Sequence, residues 1–199
     1  AKISILDIGL LRGYSIYDGL AVINGKPLRF TDHWQRFNQG AEAVSLKVPI
    51  TKELLEEKLV EIVNKSGFST RANIRLIVTG GQTIGGIEYN LEKPTFYVVA
   101  EQWEPLPKEY YERGAKLITS RYRREIPKFK TTNYIKAVCL QSLRKGQGAV
   151  EILYTYDGEV LECATSNIFL VKDKTLITPA VDILEGITRK IVLELAEGH

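Results

Sequence analysis

The chain contains few of the residues that common catalytic and metal sites require. Its 199 residues include two histidines, His33 and His199, two cysteines, Cys139 and Cys163, and no methionine. Two histidines exclude a multi-histidine metal site and leave little from which to build a Ser-His-Asp triad. The cysteines lack CxxC spacing and form no disulfide framework, so we expect both to be packed thiols and expect no metal.

Charge and hydropathy give no indication of a nucleic-acid or membrane partner. The net charge of +3 is too small to imply a polyanionic partner. No apolar stretch approaches the roughly 20 residues needed to span a bilayer, and no basic segment followed by an apolar one opens the chain. We therefore expect a cytoplasmic protein. The missing initial methionine and an end directly after a helical pattern predict a chain that is incomplete at both ends.

The first half predicts two helices followed by two strands. Apolar residues spaced by three and four predict a helix capped by Thr31, and a second helix runs from Thr51 to a C-terminal cap at Gly67. The β-branched and aromatic runs at 74–78 and 96–100 predict strands.

Two closely spaced prolines, Pro105 and Pro107, predict a linker, because proline disfavours both helix and sheet. We place a small α/β domain at 1–104, the linker at 105–114 and a larger domain at 115–199.

The second half mixes strands and helices. A strand at 116–120, a helix at 133–145 and a strand that turns at Asp157-Gly158 are predicted first, with Glu162 just beyond the returning strand. A hairpin at 168–178 and a helix capped by Thr188 follow. The pattern indicates an α+β (mixed α/β) protein.

Three parts of the second half together suggest a pyridoxal phosphate site. Lys130, within the run FKTTNY at 129–134, can hold the cofactor's aldehyde as a Schiff base. Glu162, about thirty residues later, can keep the pyridine nitrogen protonated. The turn Gly186-Ile187-Thr188 at a helix start can bind the phosphate. Each feature is weak alone, and the order and spacing carry the prediction.

This order of motifs resembles the fold-type-IV pyridoxal phosphate enzymes. The family contains branched-chain aminotransferases, D-amino-acid transaminases and aminodeoxychorismate lyases. The run DIGLLRGYSIYDG at 7–19 looks like the family's first signature and DHWQRF at 32–37 like the second, so nearly the whole chain takes part. The resemblance implies a class IV aminotransferase fold, with a small α/β domain and a larger pseudo-barrel domain. It also implies amino acid and 2-oxo acid substrates and a homodimer.

The resemblance also assigns roles within the cofactor site. Lys130 becomes the catalytic lysine, which also carries a proton between the substrate's Cα and the cofactor, and Glu162 becomes the partner of the pyridine nitrogen. The implied cofactor contacts, for the phenolic oxygen or the phosphate, are Arg36, Tyr134, Ser166, Asn167, Gly186, Ile187 and Thr188.

The basic segment 121–130 admits two interpretations. Crowding of Lys130 by Lys128 and Arg124 should lower the pKa of its amine and favour a nucleophile. Interleaving of Tyr122 and Phe129 with basic residues would instead suit nucleic acid. The second interpretation leaves the other motifs unexplained, so we disfavour it.

The substrate is less well defined. Arg12 in the first signature and Arg75 in the strand at 74–78 resemble carboxylate-binding arginines, and the pairing of LRGY with TGG resembles non-canonical D-amino-acid transaminases. The usual D-transaminase arginine after the strand's Val78-Thr79 is absent. We expect a D-amino-acid transaminase. The alternatives are an L-branched-chain aminotransferase with Tyr17 lining its side-chain pocket, an aminodeoxychorismate lyase, and a non-catalytic cofactor-binding protein.

Overall fold

The computed structural model describes residues 2–68 and 70–198 and confirms the α+β class. Two compact units divide the chain. The first contains residues up to Glu104 together with Phe129–Thr132, and the second contains Pro105–Lys128 and the residues from Asn133 onward. The predicted domain limits remain predictions. No helix among the described residues is long and apolar enough to cross a membrane.

The first unit is a four-stranded antiparallel sheet with helices on one face. Its elements are α1 (Ile8–Arg12), β1 (Ser15–Ile23), β2 (Lys26–Pro27), α2 (Phe30–Ala43), α3 (Lys52–Ser66), β3 (Arg71–Thr79), β4 (Thr83–Gly85), β5 (Glu88–Tyr89) and β6 (Thr95–Gln102). The strand order is β2-β1-β3-β6. Alternation along β1 and β3 buries one set of side chains against α2 and α3. This core contains Ile16, Leu20, Phe37, Leu55, Leu59, Ile74, Leu76 and Val78.

The other face of this sheet, here the outer face, carries the intervening residues. On β1 these are Tyr17, Gly19 and Ala21, and the register places them opposite Ile77, Arg75 and Asn73 of β3. On β6, Tyr97, Val99 and Glu101 continue the same three rows.

The predicted start of α2 is wrong. The helix begins at Phe30 after Arg29, which has a left-handed backbone (φ 51°), and no side chain caps it. Thr31 Oγ1 accepts a hydrogen bond from Lys52 instead. The limits of α3 are confirmed, because Thr51 accepts from the Leu54 N–H and Gly67 adopts φ 76°.

The second unit contains a three-stranded sheet, a separate hairpin and four helices among its described residues. Its elements are α4 (Lys108–Arg113), β7 (Leu117–Arg121), α5 (Ile135–Cys139), α6 (Gln141–Gly146), β8 (Glu151–Tyr156), β9 (Glu159–Cys163), β10 (Leu170–Lys172), β11 (Thr175–Ile177) and α7 (Ile187–Glu197). Strands β7 and β8 are parallel, and β9 returns antiparallel beside β8. The parallel pair is connected through α5 and α6.

Helix α4 lies within the segment predicted as a linker. Several other sequence expectations for this unit need correction. The predicted helix at 133–145 is two helices, because Leu140 has a flattened backbone (φ −88°, ψ −2°). Helix α7 begins at Ile187 behind Gly186, so Thr188 is its second residue and not its cap. Cys163 is buried, which raises the pKa of its thiol to about 11. Cys139 is exposed, so only Cys163 is a packed thiol.

Candidate active site

Lys130 lies beside the first residues of β1. The Tyr17 N–H donates to the Lys130 carbonyl over 2.9 Å, and Ile16 forms an antiparallel bridge with Thr131. Residues opposed in such a ladder point to the same face of a sheet. Lys130 therefore shares the outer face with Tyr17, and its Nζ lies 4.6 Å from the centroid of the Tyr17 ring.

The next residue of β1, Asp18, points to the opposite face and is fully buried. Its Oδ1 lies 2.7 Å from His33 Nδ1 and accepts from Arg36 Nη2 over 2.8 Å, while its Oδ2 accepts from Arg36 Nε over 2.8 Å. Burial alone would raise the pKa of Asp18. The hydrogen bonds from His33 and Arg36 outweigh that effect and hold the pKa below its ordinary value.

This pair fixes the orientation of the Arg36 guanidinium. Its Nε–Nη2 edge is engaged by Asp18, and the side chain is 13% exposed. A bidentate arginine–carboxylate pair is rigid as well as charge-assisted. The sequence interpretation identified Arg36 but missed Asp18 and His33. The sequence did contain a sign of this pair, because Asp18 is a charged residue at a core-facing position in the alternation of β1.

Glu162 is buried and lies within β9 of the second unit. The prediction that it lies just beyond this strand is therefore wrong. Its Oε1 accepts from Arg124 Nε over 2.8 Å and lies 2.7 Å from Nη2, and its Oε2 accepts from the Leu184 N–H over 3.0 Å. Arg124 therefore has an anionic partner, which weakens the argument that its charge crowds Lys130. The same contacts fix the position of the Glu162 carboxylate.

Asn167 and Glu162 both form hydrogen bonds with the backbone of Leu184, and these bonds fix the turn that leads into α7. Asn167 Nδ2 donates to the Leu184 carbonyl over 2.8 Å, while the Leu184 N–H is bound by Glu162. A Cβ at Gly186 would come within 2.2 Å of Asn167 Oδ1, so a larger residue there would displace the Asn167 amide. The structure thus gathers Glu162, Asn167 and Gly186 around one turn. The N–H groups of the first turn of α7 follow directly.

The remaining predicted residues of the second unit are less defined. Ser166 is exposed, and its carbonyl accepts from the Cys163 N–H over 2.7 Å. Thr188 is exposed and Ile187 buried in the first turn of α7. Tyr134 was predicted within a helix but immediately precedes α5. It packs against the buried apolar residues of this unit.

The two predicted substrate arginines occupy different elements of the first unit. Arg12 is the exposed last residue of α1, which Asp7 anchors by accepting from the Gly9 N–H and from Thr79 Oγ1. Arg75 lies on the outer face opposite Gly19. Its Nη2 is 2.8 Å from Glu101 Oε2, a partner that the sequence did not indicate.

A cavity of about 500 Å³ in the second unit is a poor cofactor site. It is lined mainly by apolar side chains of β8 to β11 and the following turn, including Leu153, Val160, Phe169 and Val181. Glu159 is the one ionisable residue among its described lining residues. A phosphate needs N–H donors or positive charge, and the described lining of this cavity includes no lysine or arginine.

Comparisons with known proteins identify the family of the chain. Residues 15–199 match the family model described as amino-transferase class IV. A putative branched-chain-amino-acid aminotransferase of Methanocaldococcus jannaschii is 32% identical over 99% of this chain and 70% of its own length. A D-alanine aminotransferase of Listeria monocytogenes is 26% identical, over 100% of this chain and 71% of its own.

A solved structure of a branched-chain amino acid aminotransferase of T.th. with pyridoxamine 5'-phosphate superposes with a TM-score of 0.88 at 29% identity. The match covers all of this chain and 69% of that one. The donor set also suits the cofactor, since the second unit holds a buried carboxylate and a helix N-terminus behind a tight glycine turn. The chain belongs to the class IV aminotransferase family and is a pyridoxal phosphate-dependent aminotransferase that acts on amino acids and 2-oxo acids.

Proposed function

We propose that the protein is a homodimeric transaminase that moves an amino group between a D-amino acid and a 2-oxo acid, with Lys130 as the lysine that carries the cofactor. Bound pyridoxal phosphate supplies a ring that stabilises negative charge at the substrate's Cα. Every other role falls to side chains and backbone groups of the chain itself.

Lys130 Nζ takes the proton from the substrate's Cα and returns it in the second half of the transfer. Tyr17 lies beneath that amine, with its ring centroid 4.6 Å away, and limits the directions in which Nζ can move. Glu162 presents a negative charge to the pyridine nitrogen, and Arg124 holds its carboxylate in place. In the first unit, Arg36, oriented by Asp18, offers a guanidinium to the phosphate. In the second unit, Gly186, Thr188 and the other N–H groups of the first turn of α7 offer hydrogen bonds to it.

One observation carries the substrate assignment. Arg75 lies on the same face of the same sheet as Lys130, and its row is next to that of Tyr17. Rows on one face are about 7 Å apart, at two residues of about 3.4 Å each. An arginine at this distance from the reacting amine can bind a carboxylate of the substrate.

The present partner of Arg75 does not oppose that role. Arg75 is 55% exposed and Glu101 40% exposed. Ion pairs that are this exposed contribute at most about 1 kcal/mol, so a substrate carboxylate can displace Glu101. We infer that Arg75 binds substrate together with Arg12 of the neighbouring subunit.

The loop after β3 supports the non-canonical D-transaminase pattern. Gly80 and Gly81 follow Val78-Thr79 where the usual D-transaminase has an arginine. Gly81 has φ 76°, and a Cβ there would overlap the Lys93 carbonyl oxygen. No side chain fits at Gly81 without a backbone shift, so this loop cannot supply the usual arginine at that position.

A second candidate is an L-branched-chain aminotransferase. Two of the three similar proteins described above are named as branched-chain aminotransferases. The row Tyr17–Ile77–Tyr97 on the outer face would also suit an apolar substrate side chain. The experiment is the first half-reaction with paired D- and L-enantiomers of alanine, glutamate and leucine. We expect a D-enantiomer to react fastest. Faster reaction of L-leucine than of every D-amino acid would replace the proposal with this second candidate.

A further inference from the structure

Lys130 belongs to a short segment, Phe129–Thr132, that lies beside the start of β1. The residues on both sides of this segment belong to the second unit. The Tyr17 N–H donates to the Lys130 carbonyl over 2.9 Å. The Thr132 N–H donates to the Ser15 carbonyl over 3.3 Å, which is long for an N–H···O hydrogen bond. The backbone therefore holds the Thr132 end of the segment less firmly than the Lys130 carbonyl.

A pair of hydroxyl groups reinforces this weaker end. Lys130 and Thr132 are two residues apart in the extended segment, so their side chains point to the same face of the sheet. There the hydroxyls of Thr132 and Ser15 are hydrogen-bonded to each other. Ser15 is 6% exposed, and a buried hydroxyl without a partner would be costly. The pair lies one row along the outer face from the contact between Lys130 and Tyr17.

The residue before the lysine anchors the segment on the opposite face. Phe129 packs against the buried core of the first unit. Gly40 of α2 lies close to it, because a Cβ built on Gly40 would be 3.8 Å from the Phe129 Cβ. Lys130 is thus bracketed by an apolar contact on the inner face and by the hydroxyl pair on the outer face.

We propose that Ser15 is a positioning residue for Lys130, and that its bond to Thr132 holds the segment where the Lys130 Nζ lies over the Tyr17 ring, 4.6 Å from its centroid. The inference rests on the proposed function of Lys130. The amine must approach the cofactor's aldehyde so that its nitrogen forms a double bond to the aldehyde carbon while the aldehyde oxygen leaves as water. A misplacement of about 1 Å can slow such a step about a hundredfold. Loss of the hydroxyl pair should therefore slow attachment of the cofactor.

The test uses variants that separate the hydroxyl from the shape of the side chain. Thr132→Val removes the hydroxyl and keeps the shape, whereas Thr132→Ser keeps the hydroxyl. Ser15→Ala removes the other hydroxyl, and a double variant combines Ser15→Ala with Thr132→Val. Ser66→Ala is the matched control, because it deletes a serine hydroxyl that donates to the Val63 carbonyl at the end of α3 in the same unit. Thermal unfolding verifies that all variants are folded.

The first readout is the rate of cofactor attachment. The full-length proteins are freed of cofactor, pyridoxal phosphate is added back, and the label on Lys130 is followed by absorbance and by borohydride reduction with peptide mapping. We expect Ser15→Ala and Thr132→Val each to slow attachment by about tenfold. Thr132→Ser and Ser66→Ala should stay within about twofold of wild type. The double variant should be no slower than either single variant, because the two hydroxyls act as one pair.

The second readout separates a displaced lysine from a damaged cofactor site. Pyridoxamine 5'-phosphate has an amine in place of the aldehyde and cannot become attached to a lysine. Its dissociation constant, measured calorimetrically, should be the same in all variants, because neither hydroxyl is needed to bind the ring or the phosphate. A general loosening of the site would weaken this binding in parallel with the slower attachment.

Attachment at the wild-type rate in Ser15→Ala or Thr132→Val would overturn the inference, provided that wild type is labelled on Lys130. So would an equal slowing in Thr132→Ser or Ser66→Ala, or a parallel loss of pyridoxamine 5'-phosphate binding. Failure of the proposed function has a different signature. Wild type would then carry the pyridoxyl group on another lysine, which would refute the role of Lys130 and this inference together.

Discussion

Asp18 binds Arg36 through both carboxylate oxygens, at 2.8 Å each, while the preceding residue of the same strand lies under Lys130. Tyr17 and Asp18 are successive residues of β1 and therefore point to opposite faces of one sheet, as strand geometry requires. A single strand fixes both an inward arginine and an outward lysine. Changes in β1 should therefore affect the two groups separately.

The first prediction concerns Asp18→Asn. The substitution keeps the side-chain volume but removes the carboxylate that binds the largely buried Arg36, and breaking a buried pair costs about 3 kcal/mol or more. Urea unfolding at neutral pH measures this loss. Binding of pyridoxal phosphate should weaken as well, because Arg36 loses its fixed orientation. Glu42→Gln, an exposed carboxylate at the end of α2, is the control and should unfold like wild type. Equal stability of Asp18→Asn and wild type would contradict the account.

The stability difference between wild type and Asp18→Asn should depend on pH in a defined direction. The folded-state pKa of Asp18 lies below its ordinary value, so its contribution is complete above the unfolded pKa of about 4. It is lost as the pH falls through the lower, folded pKa. Unfolding series from pH 7 down to pH 2 should show the two curves converging only below about pH 4. Convergence that is already complete near pH 6 would contradict the assignment of this difference to the Asp18 carboxylate.

Glu162→Gln should retain the cofactor and slow transamination severely, because the pyridine nitrogen loses its anionic partner. Arg124 also loses its charged partner, so the rates are measured where circular dichroism shows the variant to be folded. The loss should fall on the proton-transfer half-reaction. Glu159→Gln, an exposed change on the same strand, should leave that rate unaltered. If both variants react at the wild-type rate, Glu162 is a structural residue only.

Arg75→Gln should reduce kcat/KM for the D-substrate by about tenfold to a hundredfold, since a charge-assisted hydrogen bond contributes roughly 1.5 to 3 kcal/mol. Cofactor absorbance should be unchanged. Glu101→Gln is the informative companion, because it removes the group that competes for Arg75 and should leave KM equal or lower. An increase in KM of similar size in both variants would mean that the pair supports the sheet and does not bind substrate.

Much of the candidate site follows from local sequence. The limits of α3 depend on Thr51 and Gly67, whose capping is a matter of a few neighbouring residues. Lys130, Glu162 and Gly186 belong to short motifs with distinctive spacing. Such features need no knowledge of the fold.

Other parts require tertiary structure. The partners Arg124 and Glu162 are 38 residues apart, and Arg75 meets Glu101 only because β3 and β6 are neighbours. The start of α2 depends on the left-handed Arg29, a conformation that side-chain preferences do not suggest. Nor could the sequence reveal that Leu140 divides the predicted helix at 133–145.

Arg12 should act across a subunit interface. Mixing an Arg12→Gln protein with a Lys130→Ala protein should restore part of the activity, because some hybrid sites then contain both wild-type residues. Subunit exchange is verified by native mass spectrometry of the mixture. Demonstrated exchange without recovery would show that Arg12 serves its own subunit or has no role in substrate binding.

The most direct test of the central claim is the identity of the lysine that carries the cofactor. Borohydride reduction of the full-length, cofactor-loaded protein, followed by peptide mapping, should place the reduced pyridoxyl group on Lys130. The same treatment of Lys130→Ala should give no covalent label and no transamination, with Lys128→Ala labelled as in wild type. A pyridoxyl group on any other lysine of the wild-type protein would contradict the assignment of Lys130.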